Sequence, residues 1–160
     1  MKVRPALSSD LTRIMEIYAA AKAYMDRSGN PTQWNGYPSE DLVKEDIALG
    51  RNYVCEGQHG VCGVFVFIIG EDETYAYIEQ GAWRRNDTYG TIHRLAADGS
   101  EKGVFLACLD LCRSQNPYLR ADTHHDNKTM QHLLTKHGFR ESGIIYVDDG
   151  SPRIAYEFEA

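Results

Sequence analysis

Hydrophobic and polar positions change period several times along the chain, and each change marks an element. Leu11, Ile14, Met15, Tyr18, Ala21 and Met25 recur at the 3.6-residue spacing of a helix with one buried face. Ser8, Ser9 and Asp10 precede it as N-cap oxygens, and Gly29 stands where it should stop. Residues 30–38 break the pattern with Asn, Pro and Gly. Ser39, Glu40 and Asp41 then open a second helix, carrying Leu42, Val43 and Ile47 and ending at Gly50. The acidic residues in its first turn suit the helix dipole. Ahead of both, residues 3–6 read as a short strand.

The middle of the chain is strand-like. Residues 52–58 and 61–69 predict a hairpin about His59-Gly60, and the nearly unbroken Val, Phe and Ile of its second arm predict cover on both faces. Residues 75–79 read as a strand or a loop, and 91–97 as a strand. After Asp98-Gly99 the period returns to helical over 104–115, with Phe105, Leu106, Cys108, Leu109 and Cys112 inward and Pro117 as the stop. Residues 118–123 form a strand, and Asp126 caps a helix over 127–137. Gly138 follows it, where a helix end favours a left-handed residue. Residues 143–147 and 153–159 are closing strands joined by the turn Asp148-Asp149-Gly150-Ser151-Pro152. The order β-α-α-β-β-β-α-β-α-β-β predicts an α/β fold, a central mixed sheet flanked by about four helices. Hairpins give antiparallel neighbours and strand-helix-strand crossovers parallel ones. No linker or repeat interrupts it, so residues 1–160 are expected to form one domain.

Composition narrows the chemistry. A chain 42% hydrophobic and 25% charged, without low-complexity tracts, is expected to fold. The net charge of −6 and the lack of any basic run beyond Arg84-Arg85 argue against a nucleic-acid partner. The longest apolar run, 64–69, is too short to span a bilayer, and the first ten residues do not resemble a secretion signal. Four cysteines without a CxxC spacing read as reduced core thiols of a cytoplasmic protein, Cys108 and Cys112 sharing a helix face. His124, His125 and Asp126 invite a metal reading. Adjacent strand residues face opposite ways, however, and the five-residue spacing of His132 and His137 does not align two ligands on a helix, so no metal is expected.

Residues 92–139 carry a more specific signal. A strand, IHRLAAD, leads into the turn GSEKG and a helix; a second strand, YLRADT, leads into DNKTMQHLLTKHGF. The N-terminus of the first helix offers unpaired N–H groups and partial positive charge to a diphosphate. Gly99 and Gly103 let backbone approach a ligand, and Lys102 adds a charge. This arrangement resembles the core of the GNAT superfamily of acetyl-CoA-dependent N-acetyltransferases, and the element order of the whole chain matches it. Two departures stand out. Of the motif Gln/Arg-x-x-Gly-x-Gly/Ala only Gly103 survives, with Phe105 where Gly or Ala is usual and a turn two residues shorter. Leu134 occupies the position of the Tyr that often protonates the departing thiolate, within a pattern otherwise kept at Asn127, Leu133, Gly138 and Phe139.

The resemblance implies transfer of an acetyl group to a primary amine of a small molecule, or of a peptide, by direct attack on the thioester. The alternative is a non-catalytic acyl-CoA-binding or sensor domain. It places acetyl-CoA against Leu95, Ala96, Ala97, Lys102, Gly103, Val104, Phe105 and Asn127. His93, beside the thioester, is the candidate base, with a strand histidine bonded in the core as the other reading. Glu79 acting through a water, or standing as a solvated carboxylate, is a further candidate. Tyr146 is the substitute acid or a packing aromatic. Trp34 and Tyr37 would line the acceptor pocket, where aromatics suit a cation, unless Trp34 anchors its loop. A homodimer is left open.

Overall fold

Why the chain folds around its middle is visible in the strands themselves. The computed structural model describes residues 1–159. Its elements are β1 (Lys2–Pro5), α1 (Leu11–Arg27), α2 (Glu40–Ala48), β2 (Asn52–Gly57), β3 (Gly60–Ile69), β4 (Gly90–Ala97), α3 (Val104–Gln115), β5 (Tyr118–Thr123), α4 (Lys128–Lys136), β6 (Arg140–Tyr146) and β7 (Pro152–Glu159). The seven strands form one sheet in the order β1-β2-β3-β4-β5-β7-β6. Every residue of β3 from Cys62 to Phe67 is buried, as its unbroken apolar run predicts for a strand covered on both faces. Phe65 and Phe67 join Phe105, Leu109 and Leu134 beneath α3 and α4. Val64 packs on the other face with Ile14, Ile17 and Val43 of α1 and α2. Each such side chain contributes about 1.5–3 kcal/mol by leaving water.

Several local expectations are corrected. Asn127, rather than Asp126, caps α4: its side chain accepts the Met130 amide at 3.0 Å. A residue in the capping position must reach the N–H three places on, and the turn before α4 puts Asn127 there. Ser8, Ser9 and Asp10 form a short 3-10 turn, in which the Asp10 carboxylate accepts the Leu7 amide at 2.7 Å. Of the two readings of residues 75–79 the loop holds, with one isolated bridge from Glu79 to Ile144. β6 starts at Arg140, three residues early, because pairing with β7 extends past the apolar positions. All four cysteines are free and buried, and the Cys108 and Cys112 sulfurs lie 4.0 Å apart.

The sheet is not continuous where it matters. β4 and β5 run parallel but pair only at Gly90–Leu119 and Thr91–Arg120. Beyond Thr91 they splay, and β4 bulges: Val64 faces Ala96 and Val66 faces His93, so Arg94 and Leu95 together oppose Phe65. Such a bulge bends its strand and sharpens the twist. Arg94 sits at φ 52°, a left-handed conformation that costs a non-glycine residue about 1–3 kcal/mol. It is held there from both ends. Its carbonyl accepts the Tyr18 hydroxyl at 2.9 Å, and its guanidinium grips fully buried Asp46 at 3.0 and 3.1 Å. Asp46 also receives Arg51 Nε at 2.7 Å, so the buried carboxylate is paired twice.

Candidate active site

The splay leaves the β4 edge from Ile92 to Ala97 without a β5 partner. An unpaired strand edge can accept an extended ligand as an added strand. At its end, Asp98 folds the turn by accepting the Ser100 amide at 2.9 Å, and Glu101 reaches back to the Gln58 amide at 3.0 Å. Gly99 and Gly103 take φ of 82° and 99°, and a Cβ on either would meet nothing within 4 Å. Both glycines therefore serve conformation and leave open space beside the N-terminus of α3, as a phosphate cradle requires. Lys102 is exposed there. Val104 and Phe105 send their side chains into the core, Phe105 stacking on His137 at 5.0 Å, so only their backbone can meet a ligand. The bulky residue in the Gly/Ala position is thus accommodated by pointing inward.

His93 projects from β4 on the face shared with Val66 and Asn52, at the mouth of the splay. Its Nε2 lies 3.1 Å from Oδ2 of Asp72, which stands on the loop after β3. Burial raises the Asp72 carboxyl, but the bonds from His93 and Thr74 outweigh it and bring its pKa down to about 2. Asp72 is therefore ionised at neutral pH and can only accept. The proton between the two belongs to Nε2, and the lone pair of neutral His93 falls on Nδ1. A second carboxylate, Asp122 of β5, accepts the buried Tyr75 hydroxyl at 2.7 Å. Burial pushes Asp122 up, against the pull of His93 and the Tyr75 bond. The two carboxyls are thus shifted in opposite directions, Asp72 down by its bonds and Asp122 up by burial.

The remaining candidates divide. Tyr146 donates to Glu79 in a short hydrogen bond, and Tyr77 donates to the same carboxylate at 2.9 Å. This exposed trio shares no hydrogen bond with His93, Asp72 or Asp122 among the described residues. Glu79 raises the Tyr146 phenol by hydrogen bonding and is itself lowered, which makes Tyr146 a weaker acid. Asn127 is engaged as a cap and donates to Gln33 at 2.9 Å, tying α4 to the loop after α1. Trp34 is buried, edge-on to Tyr18 at 5.6 Å, and anchors that loop. Tyr37 is 40% exposed and accepts Arg94 Nη1 at 2.7 Å, so it alone of the two aromatics meets solvent. Leu134 is buried in the core.

His124 and His125 do not face opposite ways. β5 ends at Thr123, and in the turn that follows their rings stack at 4.3 Å, with Asp126 beside them. His124 Nδ1 accepts the Asp126 amide at 3.0 Å, so that nitrogen is spent on the turn. Asp72, Tyr75 and Asp122 escaped the sequence reading. The first two lie on irregular chain, but the alternation of Arg120 and Asp122 with Leu119 and Ala121 marked a polar face on a central strand.

No family model and no curated protein sequence matches the chain. Solved structures do. An acetyltransferase of the GNAT family from Streptococcus agalactiae 2603 is 30% identical, with a TM-score of 0.91 over 99% of this chain and 95% of that one. A putative acetyltransferase from Staphylococcus aureus Mu50 is 26% identical, with a TM-score of 0.71 over 99% of both. The fold is shared further, at 13% identity and a TM-score of 0.56, with a chain of the NatC complex bound to Gag peptide and CoA, over 99% of this chain and 98% of that one. With the splayed β4–β5 pair and this likeness over nearly its whole length, the chain belongs to the GNAT family of acetyltransferases.

Proposed function

We propose that this acetyltransferase uses acetyl-CoA as donor and a primary amine of a small molecule as acceptor, with His93 as general base. The observation that carries the proposal is the His93–Asp72 pair beside the unpaired β4 edge. Held along Leu95, Ala96 and Ala97, with its diphosphate on the turn at Gly103, acetyl-CoA would supply an activated acetyl thioester. His93 Nδ1 takes the proton of the attacking amine, and the Nε2–H bond to Asp72 stabilises the imidazolium that results. The bulge takes Arg94 and Leu95 out of register with β3, and a backbone N–H freed there would stabilise the negative charge that develops on the thioester oxygen.

Amine acceptors are favoured by the charge of the chain, −6 overall, and by Tyr37 at the open side of the site. The same charge weighs against nucleic acid. Four free, buried thiols suit a reducing, cytoplasmic setting. No helix is long and apolar enough to cross a membrane among the described residues. Leu134 in the place of the usual Tyr favours one rival, a domain that binds acyl-CoA without turning it over. Release of free thiol from acetyl-CoA with a panel of amines decides between them. Amine-dependent thiol release is expected; binding of acetyl-CoA with no thiol release from any amine would favour the rival.

A further inference from the structure

Arg94 stands first of the two bulged residues of β4, a place where left-handed backbone favours glycine. Among the described non-glycine residues only Gln80 shares its positive φ. A side chain kept on strained backbone has to be held there by its surroundings. The holder is Asp46. Val43 and Asp46 are the buried residues of α2, one turn apart, and Val43 seats the helix against Ile14 and Ile17. Arg94 Nε and Nη2 meet the two oxygens of Asp46 at 3.1 and 3.0 Å, as a fork that fixes direction as well as distance. The third guanidinium nitrogen, Nη1, reaches the Tyr37 hydroxyl at 2.7 Å. A buried ion pair adds little stability over well-packed apolar side chains of the same size, so this one calls for another reason.

The reason lies in what the fork holds. Beyond Thr91 no β5 residue pairs with β4, and the bulge interrupts the pairing with β3 between His93 and Ala96. This stretch therefore lacks one strand neighbour and has a gap in its register with the other. His93 immediately precedes Arg94, and Leu95 follows it. A change of backbone at residue 94 thus moves the base relative to the edge along which the thioester would lie. Reacting groups misplaced by about 1 Å can lose about 10²-fold in rate.

We propose that Asp46 is a positioning residue: through Arg94 it holds the bulge that sets His93 against the donor edge. The assignment rests on the acetyl-transfer reading with His93 as base. Its test uses the glycine preference of the bulge. Arg94→Ala and Arg94→Gly both remove the guanidinium, its charge and its bond to Tyr37, but only glycine takes φ 52° without strain. In steady-state thiol release the glycine variant should turn over roughly tenfold faster than the alanine variant, the scale of the left-handed penalty. Their calorimetric affinities for acetyl-CoA should agree within about threefold, so that the difference lies in kcat. Asp46→Asn should lower turnover roughly tenfold or more. Adding Arg94→Gly to it should restore part of that loss, and adding Arg94→Ala should not. Melting curves keep every assay below the transition; should Asp46→Asn fold poorly, the two single Arg94 variants decide alone. Equal turnover of those two variants, whether fast or slow, would overturn the assignment. If the parent is active in that case, the acetyl-transfer reading stands; a parent that releases no thiol with any amine sinks both.

Discussion

Replacing Asp72 by Asn tests the pair at the centre of the site through stability as well as rate. Asp72 is ionised in the folded protein, with a pKa lowered from 3.8 to about 2. At ~1.4 kcal/mol per pKa unit the shift is worth ~2 kcal/mol at neutral pH. The sign follows from the depression. The folded state binds the proton more weakly than the unfolded one, so the stabilisation is complete above about pH 4. It is lost as pH falls toward 2, about half of it by pH 3. Asp72→Asn is therefore expected to lower the melting temperature at pH 7 by roughly 4–8 °C for a chain of this size. The gap to the parent should narrow steadily below pH 4. Amine-dependent thiol release should fall about 100-fold or more, because an amide no longer fixes the proton on Nε2. Melting curves from pH 7 to pH 3, run beside the thiol assay, check both. A gap that stays constant with pH, or no gap at all, would refute the view of Asp72 as an ionised partner of His93.

Other substitutions separate the roles. His93→Ala should reduce turnover about 10²–10⁴-fold with little effect on the Michaelis constant for acetyl-CoA, measured by steady-state thiol release. Gly103→Val forces a side chain onto φ 99° in the cradle, and should weaken acetyl-CoA binding roughly tenfold by calorimetry, with a cooperative melt retained. Trp34→Ala should cost about 3–5 kcal/mol in denaturant unfolding, because the ring is buried against Tyr18. Tyr146→Phe should leave turnover within about threefold of the parent, far short of the loss at His93, since its hydroxyl is spent on Glu79 at an exposed edge.

Periodicity made the architecture legible, and the reasons it worked are local. The unbroken apolar run of β3 could only be a strand covered twice, and glycines at 29, 103 and 138 take the left-handed φ that their element ends require. Boundaries slipped where side-chain hydrogen bonds, rather than hydrophobicity, decide them: Asn127 outcompetes Asp126 as a cap through one bond to Met130. The proposed site was half legible. His93 could be found because a titratable residue in a central strand beside a glycine-rich turn is conspicuous. Asp72 could not, because a carboxylate on an irregular loop looks like any solvated one until the fold carries it to the histidine. The bulge at Arg94 left no mark either, since its strain is met by Asp46 and Tyr18, remote in sequence. Phe105 shows the reverse case: a residue that looks too bulky for the start of α3 turns its ring into the core and leaves the helix N-terminus clear.

Amide hydrogen exchange with and without saturating acetyl-CoA tests most directly whether the splayed β4 edge is the donor site. Leu95, Ala96 and Ala97 have no β5 partner, and since Asp98 gives its amide to Cys62 of β3, the Ala97 amide beside it faces the open edge and reports most directly on a ligand laid there. On binding, the Ala97 amide and those of the turn through Gly103 should slow by roughly tenfold or more, the scale of hydrogen bonds worth ~1.4 kcal/mol. Saturation with acetyl-CoA that leaves this edge exchanging as before, with protection appearing elsewhere, would contradict the account.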